Sequence, residues 1–200
     1  MFLLILNKLR AIILLLLLAS CSTDLTYFNI FKQAFAYSKI DVNDGQIEKI
    51  KYSFIKVTLG RNQAIFVLSE ITKENIFIWV GANNEKIHTY HGYVIHTDGF
   101  SPSYNIQDKS KLLEYDFNNF SNQELLIFFS IESPEINYIE ATIGSPSNYN
   151  KNCSEFYLTA PLIKFKGKTI ICYSSNGMPL LTKQKLSPLH DVLRLEYFYK

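Results

Sequence analysis

Three of the four histidines lie close together in the chain, at His88, His91 and His96. Imidazoles this near in sequence would hold a metal ion if their nitrogens converged on one point. In an extended chain, residues 88 and 91 differ by an odd number and face opposite sides unless a turn at Gly92 brings them round. Surface and polar strand positions therefore account for all three, and no metal is expected. Ser101, Ser103, Ser174 and Ser175 sit in loop-like stretches outside any nucleophile elbow. Asp98 belongs to an Asp-Gly pair, the ordinary chemistry of a tight turn. Neither an enzyme nor a cofactor is expected. Sugar binding suits the residue types better, because glycan sites use exposed aromatic faces beside amide hydrogen-bonding groups. Trp79, Tyr90, Tyr93 and Tyr104, with Asn83, Asn84 and Gln184, would serve if they shared a surface. The competing reading places Trp79 in the core, since Phe77, Ile78 and Val80 flank it, and puts the tyrosines on strands.

The cysteines carry more specific information. Lys8 and Arg10 precede the apolar run Ala11 to Leu18, and Ala19, Ser20 and Cys21 follow. A basic start, a short apolar run and small residues make residues 1–20 a secretory signal. The run after the charges is too short to span a bilayer, and an anchor that also used Phe2 to Leu6 would bury two charges. Leu18, Ala19, Ser20 and Cys21 resemble a bacterial lipobox, in which the peptidase cuts before a cysteine acylated with chains such as palmitate. More than one acyl chain gives stable anchoring. Ser22 stands where an Asp is associated with inner-membrane retention, so the periplasmic face of the outer membrane is the expected address. An oxidising compartment permits the remaining pair, Cys153 and Cys172, to form a disulfide. Two buried thiols remain the alternative.

Charge narrows the partners. Two of the twenty basic residues and none of the eighteen acidic ones precede Cys21, which leaves eighteen of each. A balanced chain carries no electrostatic footprint for nucleic acid.

Around these groups the elements read as strands. Leu25, Phe28, Phe31 and Phe35 fall at helical spacing, and the helical segment is expected over residues 24–50, with strands from residue 52 onward. Strands are expected over Tyr52 to Leu59, Ala64 to Leu68, Ile76 to Val80, Lys86 to Tyr90 and Tyr93 to Thr97, then Leu125 to Ile131 and Ile136 to Ile143. Phe156 to Leu158, Leu162 to Phe165, Thr169 to Tyr173, Leu180 to Lys185 and Val192 to Tyr199 complete the series. Gly, Asn and Asp clusters separate them. Residues 100–122 and 144–148 read as loops. The expected fold is all-β: a single barrel-like antiparallel domain, residues 21–200, of roughly ten strands with a short N-terminal helical segment. The strands are too short for a transmembrane barrel.

The pattern Trp79, Ile87, Thr89, Gly92, Val94, Thr97, Asp98, Gly99 and Phe100 resembles the core signature of the YjbF and GfcB lipoproteins of exopolysaccharide and group-four capsule loci. Gly177, Thr182, Gln184, Ser187 and Pro188 resemble the family's second signature. The family usually has Arg where this chain has Tyr93 and His96. The resemblance implies a barrel-like domain at the outer membrane and a part in making or exporting a surface polysaccharide, beside envelope proteins of the same locus. It implies no enzymatic activity and no cofactor. Direct contact with the polysaccharide is the alternative role, and the signature residues Trp79, Gly92, Thr97, Gly99, Gly177, Gln184 and Pro188 are expected to be structural.

Overall fold

The computed structural model describes residues 50–115, 117, 124–132 and 135–200. The signal at 1–20, the lipobox Leu18, Ala19, Ser20 and Cys21, and almost all of the helical segment 24–50 lie outside the described residues.

Among the described residues, thirteen strands form one antiparallel sheet. They are β1 (Phe54–Leu59), β2 (Asn62–Ile71), β3 (Ile76–Val80), β4 (Lys86–Tyr90), β5 (Tyr93–Asp98), β6 (Ser103–Ile106) and β7 (Leu125–Glu132). After them come β8 (Ile136–Ile143), β9 (Ser147–Asn150), β10 (Cys153–Ala160), β11 (Phe165–Tyr173), β12 (Pro179–Gln184) and β13 (Leu193–Phe198). Neighbours in sequence are neighbours in space nearly throughout. β13 returns to pair with β1, and β10 pairs with β11, so twelve strands close into a barrel. β9 is the thirteenth. β10 gives Leu158 and Thr159 to β8 and Cys153 to Glu155 to β9, so β9 prolongs the β8 side beyond Gly144. Closure leaves no long open edge to aggregate.

The alternation of the strands sorts their side chains. In β10, Ser154, Phe156, Leu158 and Ala160 are buried, while Glu155, Tyr157 and Thr159 lie towards solvent. In β11, Phe165, Gly167, Thr169 and Ile171 are buried, and Lys166 and Lys168 are exposed. One core runs through the barrel, from Ile55 and Trp79 to Phe129, Phe156 and Tyr197. On β10 and β11 the outer wall is polar and charged over a packed interior, whereas β7 and β8 expose Leu126, Phe128 and Tyr138.

Three expectations are corrected. The stretch read as loop from 100 to 122 holds β6 and a one-turn helix, α1 (Ser110–Leu113). β6 is only four residues long, with Tyr104 and Ile106 buried, and its period is too short to stand out. Within the loop expected at 144–148, β9 begins; all four of its residues are exposed, so no burial pattern marks it. Leu162 to Phe165 is not a strand. Pro161–Ile163 forms a 3-10 turn, with Lys164 in the left-handed region at φ 51°, and β11 starts only at Phe165. Roughly ten strands thus become thirteen.

Candidate functional site

Opposite walls of the barrel meet at β5 and β12. Going round the ring, they stand six strands apart in either direction. A round ring of twelve strands would be about 18 Å across, far beyond the reach of one side chain. Yet Val94 N–H donates to Gln184 Oε1 at 2.9 Å, and Gln184 Nε2 donates to Val94 O at 3.3 Å. The barrel is flattened here, and one glutamine spans it.

Local sequence explains why Val94 needs that partner. The β4–β5 turn places His91 and Gly92 at φ 47° and 83°, the left-handed pair that a two-residue hairpin requires. Pairing then slips: His88 opposes His96 but Thr89 opposes Val94, so Ile95 is an extra residue in β5. On its other side β5 is matched by β6 only at His96 and Thr97. The buried peptide groups of Val94 are left without strand neighbours on that side. A primary amide offers one acceptor and two donors, so Gln184 acts as a missing piece of strand.

The turn itself is gripped by side chains from the same wall. Thr182 Oγ1 donates to Gly92 O at 2.7 Å, Tyr197 OH donates to the same carbonyl at 3.2 Å, and Tyr173 OH donates to His91 O at 3.1 Å. A Cβ at Gly92 would stand 2.9 Å from Ile171 Cγ2 and from Pro179 Cβ. Trp79 Nε1 donates to Thr89 Oγ1 at 3.0 Å, and the indole meets the Tyr197 ring edge-on at 5.7 Å between centroids. Thr97 Oγ1 accepts Tyr104 N–H at 2.9 Å, which ties β5 to β6. Gly99 follows β5 where an added Cβ would stand 3.1 Å from Glu85 Cα, and Gly177, at φ 79°, closes the Ser174–Met178 turn. Burial pushes the Tyr93 and Tyr197 hydroxyls well above the usual phenol range.

A second clasp closes one end. His190 Nε2 lies 3.0 Å from Pro102 O and must donate to it, so Nδ1 accepts the hydroxyl of Ser187 at 2.6 Å. Lys185 Nζ donates to His190 O. Burial lowers the His190 pKa, with the neighbouring Lys185 adding to the effect, and the ring is neutral at pH 7. Ser187 is buried, so its hydroxyl is enclosed within the clasp. Pro188 lies exposed within the same loop.

The residues named from sequence separate into groups. His88 and His96 oppose one another on the outer wall, ring centroids 4.8 Å apart, and His96 Nδ1 lies 3.1 Å from Asn105 Oδ1. Burial first, then His96, Lys109 and Lys86, lower the His88 pKa to about 4. Burial and Lys109 likewise lower that of His96. His91 is apart from them in the hairpin turn. Among the described residues no group of three or more His, Cys, Asp or Glu is placed to hold a metal ion.

The aromatic platform is a correction. Tyr93 and Tyr104 are 0% exposed and Tyr90 is buried, so none offers a face to a sugar in solution. Tyr93 stacks on Phe117 at 5.1 Å, Tyr104 tilts against Phe129 at 5.3 Å, and Tyr90 OH donates to Leu113 O at 2.5 Å. A flattened barrel still needs bulky side chains to fill it, and these tyrosines supply them. Trp79 is in the core as well. Cys153 and Cys172, directly opposite on β10 and β11, are joined in a disulfide. Sequence reasoning missed His190, Ser187's role, Tyr173 and Tyr197, since each acts through a partner more than 80 residues away or through a turn.

Comparisons with known proteins follow the same lines. The family model described as "Group 4 capsule polysaccharide lipoprotein gfcB, YjbF" matches residues 28–112. That span holds the Trp79 to Gly99 signature, and the Gly177 to Pro188 signature lies beyond it. No curated protein matches the chain. The crystal structure of the hypothetical lipoprotein YmcC from Escherichia coli (K12) matches with a TM-score of 0.63 at 14% identity, over 90% of this chain and 97% of that one. At that identity the likeness is one of fold. The chain thus bears the sequence pattern of the YjbF family of group 4 capsule polysaccharide lipoproteins over residues 28–112, on a barrel of the YmcC lipoprotein's kind.

Proposed function

We propose that this chain is an envelope lipoprotein, held by acylated Cys21 at the periplasmic face of the outer membrane, that assists capsule or exopolysaccharide production or export without catalysing a reaction. It acts by contact with envelope proteins of a polysaccharide export locus, and the anchor raises its effective concentration at that surface. The observation that carries this reading is the commitment of the signature residues. Gln184, Thr182, Trp79 and Thr97 direct their polar groups to the barrel's own backbone and side chains, 0–2% exposed. Residues so engaged build a scaffold rather than a reaction centre.

The test is complementation in cells that lack the gene. Wild type restores surface polysaccharide, and Cys21→Ser folds but fails to restore it. Photo-cross-linkers on the outer wall of the wild type capture an outer-membrane or periplasmic protein. Full activity of an unanchored Cys21→Ser domain would refute the positional mechanism.

One observation favours a second reading, direct binding of the polysaccharide. Tyr138, 68% exposed, and Phe128 present aromatic surface on the outer face of β7 and β8. The purified protein would then bind the locus's own polysaccharide at millimolar sugar or below, and Tyr138→Ala would weaken it.

A further inference from the structure

Two neighbouring turns at one end of the barrel carry aliphatic side chains into solvent. β10 to β13 are successive antiparallel partners, so the β10–β11 and β12–β13 connections lie at the same end and side by side. The β11–β12 turn and the entry into β1 lie at the other end. The first turn exposes Leu162, at 86%, together with Ile163; the second exposes Leu189, at 64%, together with Val192.

Neither turn is loose. Pro161 opens the 3-10 turn, Lys164 N–H closes it onto Pro161 O at 3.0 Å, and buried Ala160 and Phe165 hold its two ends. In the second, Leu189 N–H donates to Ser187 Oγ at 3.2 Å, within the Ser187–His190–Pro102 clasp. A fixed backbone that points leucines away from the core loses little further entropy when those side chains bind.

We propose that these two turns are a lipid-contacting end of the barrel. Leu162, Ile163, Leu189 and Val192 enter the interface of an anionic phospholipid surface, and Lys164 stays at headgroup level. The charge of the flank fits this occupant. Exposed Lys164 and Lys166 follow the first pair directly, and Asp191 is the one acidic residue within the two turns. The composition fits it too: two separate aliphatic prongs without an aromatic or arginine anchor suit a fluid apolar phase better than a protein pocket. The proposal rests on the tether at Cys21, since a surface already held close needs only weak insertion. Thirty-three residues lead from Cys21 to Phe54. Even fully helical they would reach about 50 Å, more than the ten residues of β2, at about 33 Å. The tether is long enough for the far end to meet the same membrane.

The test uses the full-length lipidated protein in vesicles of phosphatidylethanolamine and phosphatidylglycerol. Leu162→Cys and Leu189→Cys each carry an NBD fluorophore, the native pair being bridged, and Ser175→Cys in the exposed β11–β12 turn is the control. Headgroup-proximal doxyl lipids quench the probes at 162 and 189 at least about twofold more than the probe at 175. Replacing phosphatidylglycerol by phosphatidylcholine, or Lys164 by Glu, reduces that difference. Protein that fails to float with vesicles overturns the tether reading and the proposal with it. Protein that floats, but whose three probes quench alike, overturns the proposal alone. So does a probe at 162 that stays unquenched in vesicles yet cross-links to a protein in cells.

Discussion

Replacing Gln184 by Leu keeps the side chain's bulk and removes both of its bonds to β5. The magnitude follows from what is left behind. Val94 is 0% exposed, and its N–H and C=O have only the Gln184 amide on the side that β6 does not cover. A buried backbone group stripped of its partner costs about 1–3 kcal/mol, so the pair costs about 4 kcal/mol. Against a typical domain stability of about 5–15 kcal/mol, the variant is close to the edge of folding. Urea unfolding followed by Trp79 fluorescence measures the loss, since Trp79 lies in the same core. Amide exchange reports the site directly: Val94 N–H, protected in the wild type, exchanges faster in Gln184→Leu. A cost below about 1 kcal/mol, with Val94 still protected, would show that the glutamine is not the strand's missing partner.

Gln184→Glu sharpens the same reasoning through pH. A carboxylate accepts Val94 N–H but repels Val94 O, and burial raises its pKa above the unfolded value of about 4.3. The neutral acid can donate and restores both bonds. The introduced carboxyl therefore binds a proton in the folded variant that the unfolded chain has released, and stability falls as pH rises through that window. The variant is nearest to wild type at about pH 4 and weakest above neutrality. An unchanged difference from wild type across that range would refute the account.

Gly92→Ala meets both a backbone in the left-handed region and two atoms at 2.9 Å, so it loses about 3 kcal/mol or fails to fold, read by the same unfolding assay. Replacing Cys153 and Cys172 together by Ala opens a loop of sequence separation 19 and lowers stability by about 3 kcal/mol, and the reductant sensitivity of the wild type disappears with it. His88, with its pKa lowered to about 4, is stabilising in its neutral form. Its contribution is whole above its unfolded pKa of 6.5 and is lost as pH falls from there towards 4. Urea midpoints of wild type and His88→Asn at pH 7.5 and 4.5 test this, the wild type falling further; His96, Lys86, Lys109 and Asp98 are the charges to hold fixed.

Where alternation and turn chemistry act within a few residues, the chain could be read directly. β3 and β4 stand at the expected bounds, and the Gly92 and Gly177 turns are where glycine was needed. What failed depended on distant partners. The extra residue Ile95 breaks the strict alternation of β5, so counting could not place Tyr93. Flattening of the ring brings β12 against β5, and only that contact turns Gln184 from a candidate sugar ligand into a backbone partner. Leu162 and Ile163 looked like strand residues because they are apolar, whereas Pro161 and the left-handed Lys164 make them a protruding turn.

The positions where this chain departs from the YjbF and GfcB signature that it resembles bear on where function lies. Arginine is usual in the family at the places held here by Tyr93 and His96, and the two occupy opposite environments. Tyr93 is buried against Phe117 and Phe156, where a guanidinium would need a buried counter-charge. His96 is half-buried on the outer wall beside His88 and Asn105, with Lys109 and Lys86 nearby. In this barrel the interior position carries aromatic packing, and Thr182, Tyr197 and Gln184 grip Gly92 and Val94. The signature residues Gly92, Thr182 and Gln184 are thereby committed to closing β5 on β12. Outside the signature, the outer wall of β7 and β8 and the two aliphatic turns present exposed apolar side chains, and these are the surfaces to test for recognition.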